Sequence, residues 1–109
     1  MSSHFTEAQI RMLICRAERQ LEEIVAGCLA QKPPARHISK RSHPVAHETI
    51  VSVVTLFRDH VAGAAGVATL IAREYAKGVD STAGVPTLAS IERILGFVRE
   101  ANCRFSQDT

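Results

Sequence analysis

The stretch IVSVVTLFRDHVAGAAGVATLIAREY, residues 50–75, decides how the chain is read. Within it Ile50, Val54, Phe57, Val61, Ala64, Ala68, Ile71 and Tyr75 follow one another at intervals of 4 and 3 without exception. That is the repeat of one face of an α-helix, on which side chains three and four apart stack along the axis. A second row of Val53, Leu56, Val67 and Leu70 widens the apolar face, so the segment reads as a central helix with neighbours on two sides. Taken alone, Val51 to Val54 is β-prone, and its helical assignment rests on its flanks. A single helix from Pro44 to Lys77 would be about 50 Å long, against about 35 Å for the diameter of a compact globule of this size. Either it projects to pair with a second subunit, or it gives way at Gly63–Gly66, where each glycine costs about 1 kcal/mol relative to alanine. The expectation is a long helix kinked or interrupted at those glycines, in a chain that forms a homodimer.

Working outward, Thr6 followed three residues later by Gln9 is a capping box, whose hydroxyl and amide each take an orphan backbone N–H at a helix start. From there Ile10, Ile14, Ala17, Leu21, Ile24 and Cys28, flanked by Leu13, Val25 and Leu29, predict an amphipathic helix over residues 7–31. Glu18, Arg19, Glu22 and Glu23 form its solvated face. Lys32-Pro33-Pro34 ends it, because proline cannot donate to the helix ladder and disfavours helical angles in the residue before it. Ser42-His43-Pro44 opens the central helix, with the proline in the first turn where its missing N–H costs nothing. Gly78 to Pro86 reads as a loop after a C-cap glycine. A last helix over about residues 87–104 carries Leu88, Ile91, Leu95, Val98 and Phe105, with Ile94 and Phe97 beside them and Glu92, Arg93, Arg99 and Glu100 outside. The fold class is therefore all-α, a small helical bundle of three long helices, counted as four if the central one breaks at Gly63–Gly66, in a single domain spanning 1–109.

Composition agrees. A chain of 109 residues suffices for one modest core, and 46% apolar with 22% charged residues is globular rather than disordered. With only 5% aromatics and no Trp, the core is built of Ile, Leu, Val and Ala. The three cysteines are an odd number without close spacing, and neither a secretion signal nor an apolar run long enough for a membrane span is visible. These features predict a cytoplasmic protein with reduced thiols and no membrane association.

Chemistry is sparse. Residues 32–43, KPPARHISKRSH, form a basic, proline-containing connector between the first two helices. It holds four of the 13 basic residues and none of the 11 acidic ones, so a chain of net +2 is +4 here and −2 elsewhere. Lys32, Arg36, His37, Lys40 and Arg41 are the candidate binding patch, suited to nucleic-acid phosphates or an acidic protein surface, and otherwise an ordinary solvated loop. No aromatic platform accompanies them for single-strand stacking. His43 and His47, four apart at a helix start, have the spacing of two metal ligands but lack a third nearby, and no metal or cofactor is assigned. Cys15 stands among Arg11, Arg16 and Arg19, a setting for a reactive thiol, whereas Cys28 lies in the apolar stripe.

Asp59 to Gly66, DHVAGAAG, resembles the phospho-accepting helix of histidine phosphotransfer domains, which are also small helical bundles. The resemblance covers about eight residues and implies His60 as phosphate acceptor. That family sets a basic residue three positions after the histidine and a glycine four after it, whereas Gly63 holds the third position here and no Lys is present. The charge partner of a phosphorylated imidazole is thus missing. With no phosphate loop, nucleophile elbow, CxxC pair or paired carboxylates, no catalytic residue is assigned. The expected function is a non-catalytic regulatory or adaptor protein that binds a protein partner as a helical homodimer. The alternative is a nucleic-acid-binding protein using the connector, and a metal-binding or phosphotransfer-like sensor ranks below both.

Overall fold

A computed structural model describes residues 5–32, 44–79 and 87–107. These residues form four helices, α1 Glu7–Ala30, α2 Pro44–His60, α3 Ala65–Val79 and α4 Leu88–Gln107. The bundle is all-α as expected, but the described residues contain four helices where the periodicity suggested three. The central stretch is interrupted at the glycines, as one of the two expectations had it, and forms two antiparallel helices rather than one long or kinked one. Gly63 is the cause: its φ of 81° lies in the left-handed region that side-chain-bearing residues avoid, and it reverses the chain. The Ala64 N–H closes the turn on the Val61 carbonyl at 3.2 Å, and the Ala68 N–H then bonds the Ala64 carbonyl at 3.0 Å to start α3. Gly66 falls in the first turn of α3 and breaks nothing. The molecule's longest axis is 42 Å, shorter than an uninterrupted helix over this stretch would have been.

The other helix ends follow their local chemistry. At α1 the capping box is complete, with the Gln9 N–H donating to Thr6 Oγ1 at 3.1 Å and the Thr6 N–H to Gln9 Oε1 at 2.9 Å. Pro44 is the first residue of α2. Thr87 caps α4, its Oγ1 accepting from the Ser90 N–H at 3.1 Å. Gly78 is not a C-cap, since α3 continues through it to Val79.

Each helix packs on two neighbours, α1 on α2 and α4, and α3 on α2 and α4, while the backbones of the diagonal pairs stay apart. Phe5 opposite His60 and Gln20 opposite Thr49 make α1 and α2 antiparallel. His47 opposite Tyr75, and Glu22 opposite Arg99 with Cys15 opposite Asn102, do the same for the α2–α3 and α1–α4 pairs. The result is an up-down-up-down four-helix bundle. Its core joins Ile14, Leu21 and Cys28 of α1, Ile50, Val53 and Phe57 of α2, Ala68 and Ile71 of α3, and Ile91, Ile94 and Val98 of α4. Two residues expected on apolar faces are exposed, Leu29 at 53% and Leu70 at 46%. Each lies about 100° round its helix from a buried neighbour, beyond the strip that two adjacent helices cover. No described helix is long and apolar enough to cross a membrane.

Candidate functional site

An open groove of about 640 Å³ runs along the seam of α1 and α2. Leu13, Ala17, Val53 and Leu56 line its floor, while Gln20, Ser52 and Thr55 offer polar groups at its rim. One end is closed by the Phe5 and His60 rings, which meet edge to face with centroids 4.8 Å apart. The other is closed by buried Thr49, whose hydroxyl donates to Gln20 Oε1 at 3.1 Å. Arg16 stands on the α1 bank and Glu48 on the α2 bank, and both side chains are exposed. Phe5 and Val51, exposed at 39% and 47%, leave apolar surface in the same place. The groove thus pairs an apolar floor with polar groups along its margins.

A second constellation sits at the opposite end of the bundle, where α1 ends and α2 begins. The Tyr75 hydroxyl and His47 Nδ1 share a hydrogen bond across the α2–α3 seam. Burial pushes the Tyr75 phenol up, which keeps the hydroxyl protonated. Next to it Glu74, with only 8% of its side chain exposed, accepts from Arg93 of α4 at 2.8 Å and from Lys77 at 3.3 Å. The Arg93 hydrogen bond, aided by Lys77, holds the Glu74 carboxyl below the usual glutamate range against the opposing effect of burial. The cluster fastens α3 to α2 and α4. Sequence reasoning assigned Glu74 no role and placed Arg93 on the solvent side. The signal for Glu74 was faint: it sits beside the apolar position Tyr75, three residues before Lys77.

Of the basic patch, only Lys32 is described, and it is exposed. Arg36, His37, Lys40 and Arg41 lie outside the described residues, as does His43. His47 is half-buried with Nδ1 engaged by Tyr75, and no group of three metal-ligating side chains occurs among the described residues. Cys15 is exposed on the α1–α4 seam, where the Asn102 amide donates to its sulfur at 3.6 Å. Buried Cys28 has its thiol pushed up by desolvation. His60 is the last residue of α2, so a phosphate on its ring would face the negative end of the helix dipole, and its neighbour Asp59 is occupied by Arg58 at 2.9 Å. Comparison with protein-family models, with curated proteins and with solved structures gives no significant match. Along the groove, His60 and Glu48 are 12 residues apart on one helix, about 18 Å, so the ionisable side chains that line it do not converge on a point.

Proposed function

We propose that the protein is a non-catalytic adaptor that works by docking another macromolecule on its helical faces, with the α1–α2 groove as the docking surface. The observation that carries this reading is the pairing of an open apolar floor with a hydroxyl-rich rim along about four turns of helix. A helix laid in such a groove buries its apolar stripe on Leu13, Ala17 and Leu56 and keeps its polar flanks against Gln20, Ser52 and Thr55. The separation of His60 from Glu48 favours binding over acid–base chemistry, which needs both groups within reach of one proton. A cytoplasmic location belongs to the same reading. The test is a photoreactive residue introduced at Ser52, with Glu100 on the exposed side of α4 as control. Adducts from Ser52 support the groove; adducts from Glu100 alone refute it.

A second reading, nucleic-acid binding through residues 32–43, is favoured by one observation. The described ends of the connector, Lys32 and Pro44, lie at the end of the bundle that also carries Lys77 and Arg93. Neutralising Lys32, Arg36, Lys40 and Arg41 together is expected to reduce the log–log salt slope of binding by about 0.7 to 0.9 for each phosphate that the connector no longer neutralises. An unchanged slope removes this reading.

A further inference from the structure

We propose that the α1–α2 groove face is the contact surface of a homodimer, in which two copies meet about a twofold axis parallel to the bundle and Arg16 pairs with Glu48 of the partner subunit. This rests on the reading of the α1–α2 face as a docking surface and goes further by naming what covers it, a second copy of the chain whose helices lie on the two banks of the groove. The first argument is charge. Arg16 on the α1 bank and Glu48 on the α2 bank are exposed, opposite in sign, and without an ion-pair partner among the described residues. Most of the other acids that line a groove or seam are satisfied within the chain, Glu22 by Arg99 at 3.0 Å and Glu74 by Arg93 at 2.8 Å. A rotation that exchanges the banks places α1 of each copy on α2 of the other, and each open charge then meets its opposite.

Height agrees with charge. Gln20 stands opposite Thr49 and Phe5 opposite His60, so Arg16 and Glu48 lie within about one turn of each other along the bundle. A twofold parallel to the bundle preserves height, which leaves the two side chains in mutual reach. Arg19 and Glu23, further out on α1, carry opposite charges and offset each other. A twofold across the bundle would instead set α1 on α1 and leave Arg16 without an acid from the facing α2. Apolar content points to the same face. Phe5, Val51 and Met12, the last one turn before Arg16, are three of the five large hydrophobics exposed among the described residues. Two helices side by side, each about 25 Å long, project a footprint of roughly 500 Å². Side-chain relief makes its accessible area larger, on the scale of the ~800 Å² per partner in a stable interface.

Symmetry makes the test sharp. Arg16→Glu and Glu48→Arg each place like charges together twice in a homodimer, and both positions are exposed, so the fold should survive, as far-UV circular dichroism will verify. In sedimentation equilibrium the wild type is expected to dimerise, and each variant alone to do so about ten-fold or more weakly. An equimolar mixture of the two variants is expected to regain dimers, now heterodimers, because each offers the charge the other lacks. A wild type that stays monomeric through the micromolar range, single variants that dimerise as well as the wild type, or a mixture that stays monomeric would each overturn the proposal. A monomeric wild type that still forms Ser52 adducts with another macromolecule would overturn the homodimer and leave the docking surface standing. The absence of both dimers and Ser52 adducts would remove both.

Discussion

Replacing Gly63 with alanine is expected to lower stability by about 1 kcal/mol, because an L-residue in the left-handed region costs about 1–2 kcal/mol and the stiffer unfolded chain returns about 0.4–1 kcal/mol. The cost is confined to the backbone: a Cβ built on Gly63 meets nothing within 4 Å, whereas its φ of 81° is unsuited to alanine. Gly96 supplies the contrast. It lies inside α4, exposed, with open space around an added Cβ. Gly96→Ala is therefore expected to stabilise by about 0.5–1 kcal/mol through helix propensity alone. Urea unfolding followed by circular dichroism separates the two, and thermal midpoints should move in opposite directions by about 4–8 °C per kcal/mol. Gly63→Asn should cost less than Gly63→Ala, since asparagine enters the left-handed region more readily. Were α2 and α3 one continuous helix, Gly63→Ala would stabilise just as Gly96→Ala does. A raised midpoint for Gly63→Ala would thus refute the turn and the four-helix topology with it.

Other expectations follow from the core and the polar cluster. Phe57 is fully buried between the helices, and Phe57→Ala should cost about 3–5 kcal/mol in the same unfolding assay; a loss under about 1 kcal/mol would take it out of the core. Glu74→Gln should cost only about 1 kcal/mol at neutral pH, because Arg93 and Lys77 are 63% and 70% exposed and their attraction is screened. Since the folded-state pKa of Glu74 is depressed, its contribution is present above the ordinary glutamate range and lost as pH falls through the lower folded value. The gap between wild type and Glu74→Gln should accordingly hold at neutral pH and close only as pH falls below the ordinary glutamate range, and a constant gap would contradict the ion pairs. Exposed Cys15 should react with a thiol reagent faster than Cys28, which is buried and whose thiol is pushed up by desolvation; equal rates would contradict the packing of α1.

How far the sequence could be read depended on whether the deciding interaction was local. The capping box of Thr6 and Gln9, the proline start of α2 and the buried stripes of α1 and α4 are all set within a turn or two, and they were legible. The stripe from Ile50 to Tyr75 was legible in its burial and misleading in its continuity. Val61 and Ala64, at the two ends of the turn, are buried at 6% and 4% exposure, so the 4 and 3 spacing persists through a chain reversal. The glycines marked the place, yet only the φ of Gly63 decides between kink and turn. That reversal also removes one reason to expect a dimer, a helix too long for one subunit; the unpaired charges of Arg16 and Glu48 supply a different one. The groove itself was out of reach, because it depends on how side chains of α1 and α2, distant in sequence, are set beside one another. So was the Glu74 cluster, which needs the register of α3 against α4.

The order of the helices around the bundle also fixes the order in which the fold can be completed. Packing of α1 on α2, α2 on α3 and α3 on α4 joins elements adjacent in sequence, and α2 meets α3 across a turn of only a few residues. Such contacts close small loops and form early at little entropic cost. The packing of α1 on α4 joins the two ends of the chain, held on the surface by Glu22 and Arg99 and by Cys15 and Asn102. As the seam of greatest sequence separation it is expected to close last and, on unfolding, to part first. Interactions absent from the transition state act on the rate of unfolding rather than of folding. Substitutions along that seam are therefore expected to change how long the folded chain lasts more than how quickly it forms.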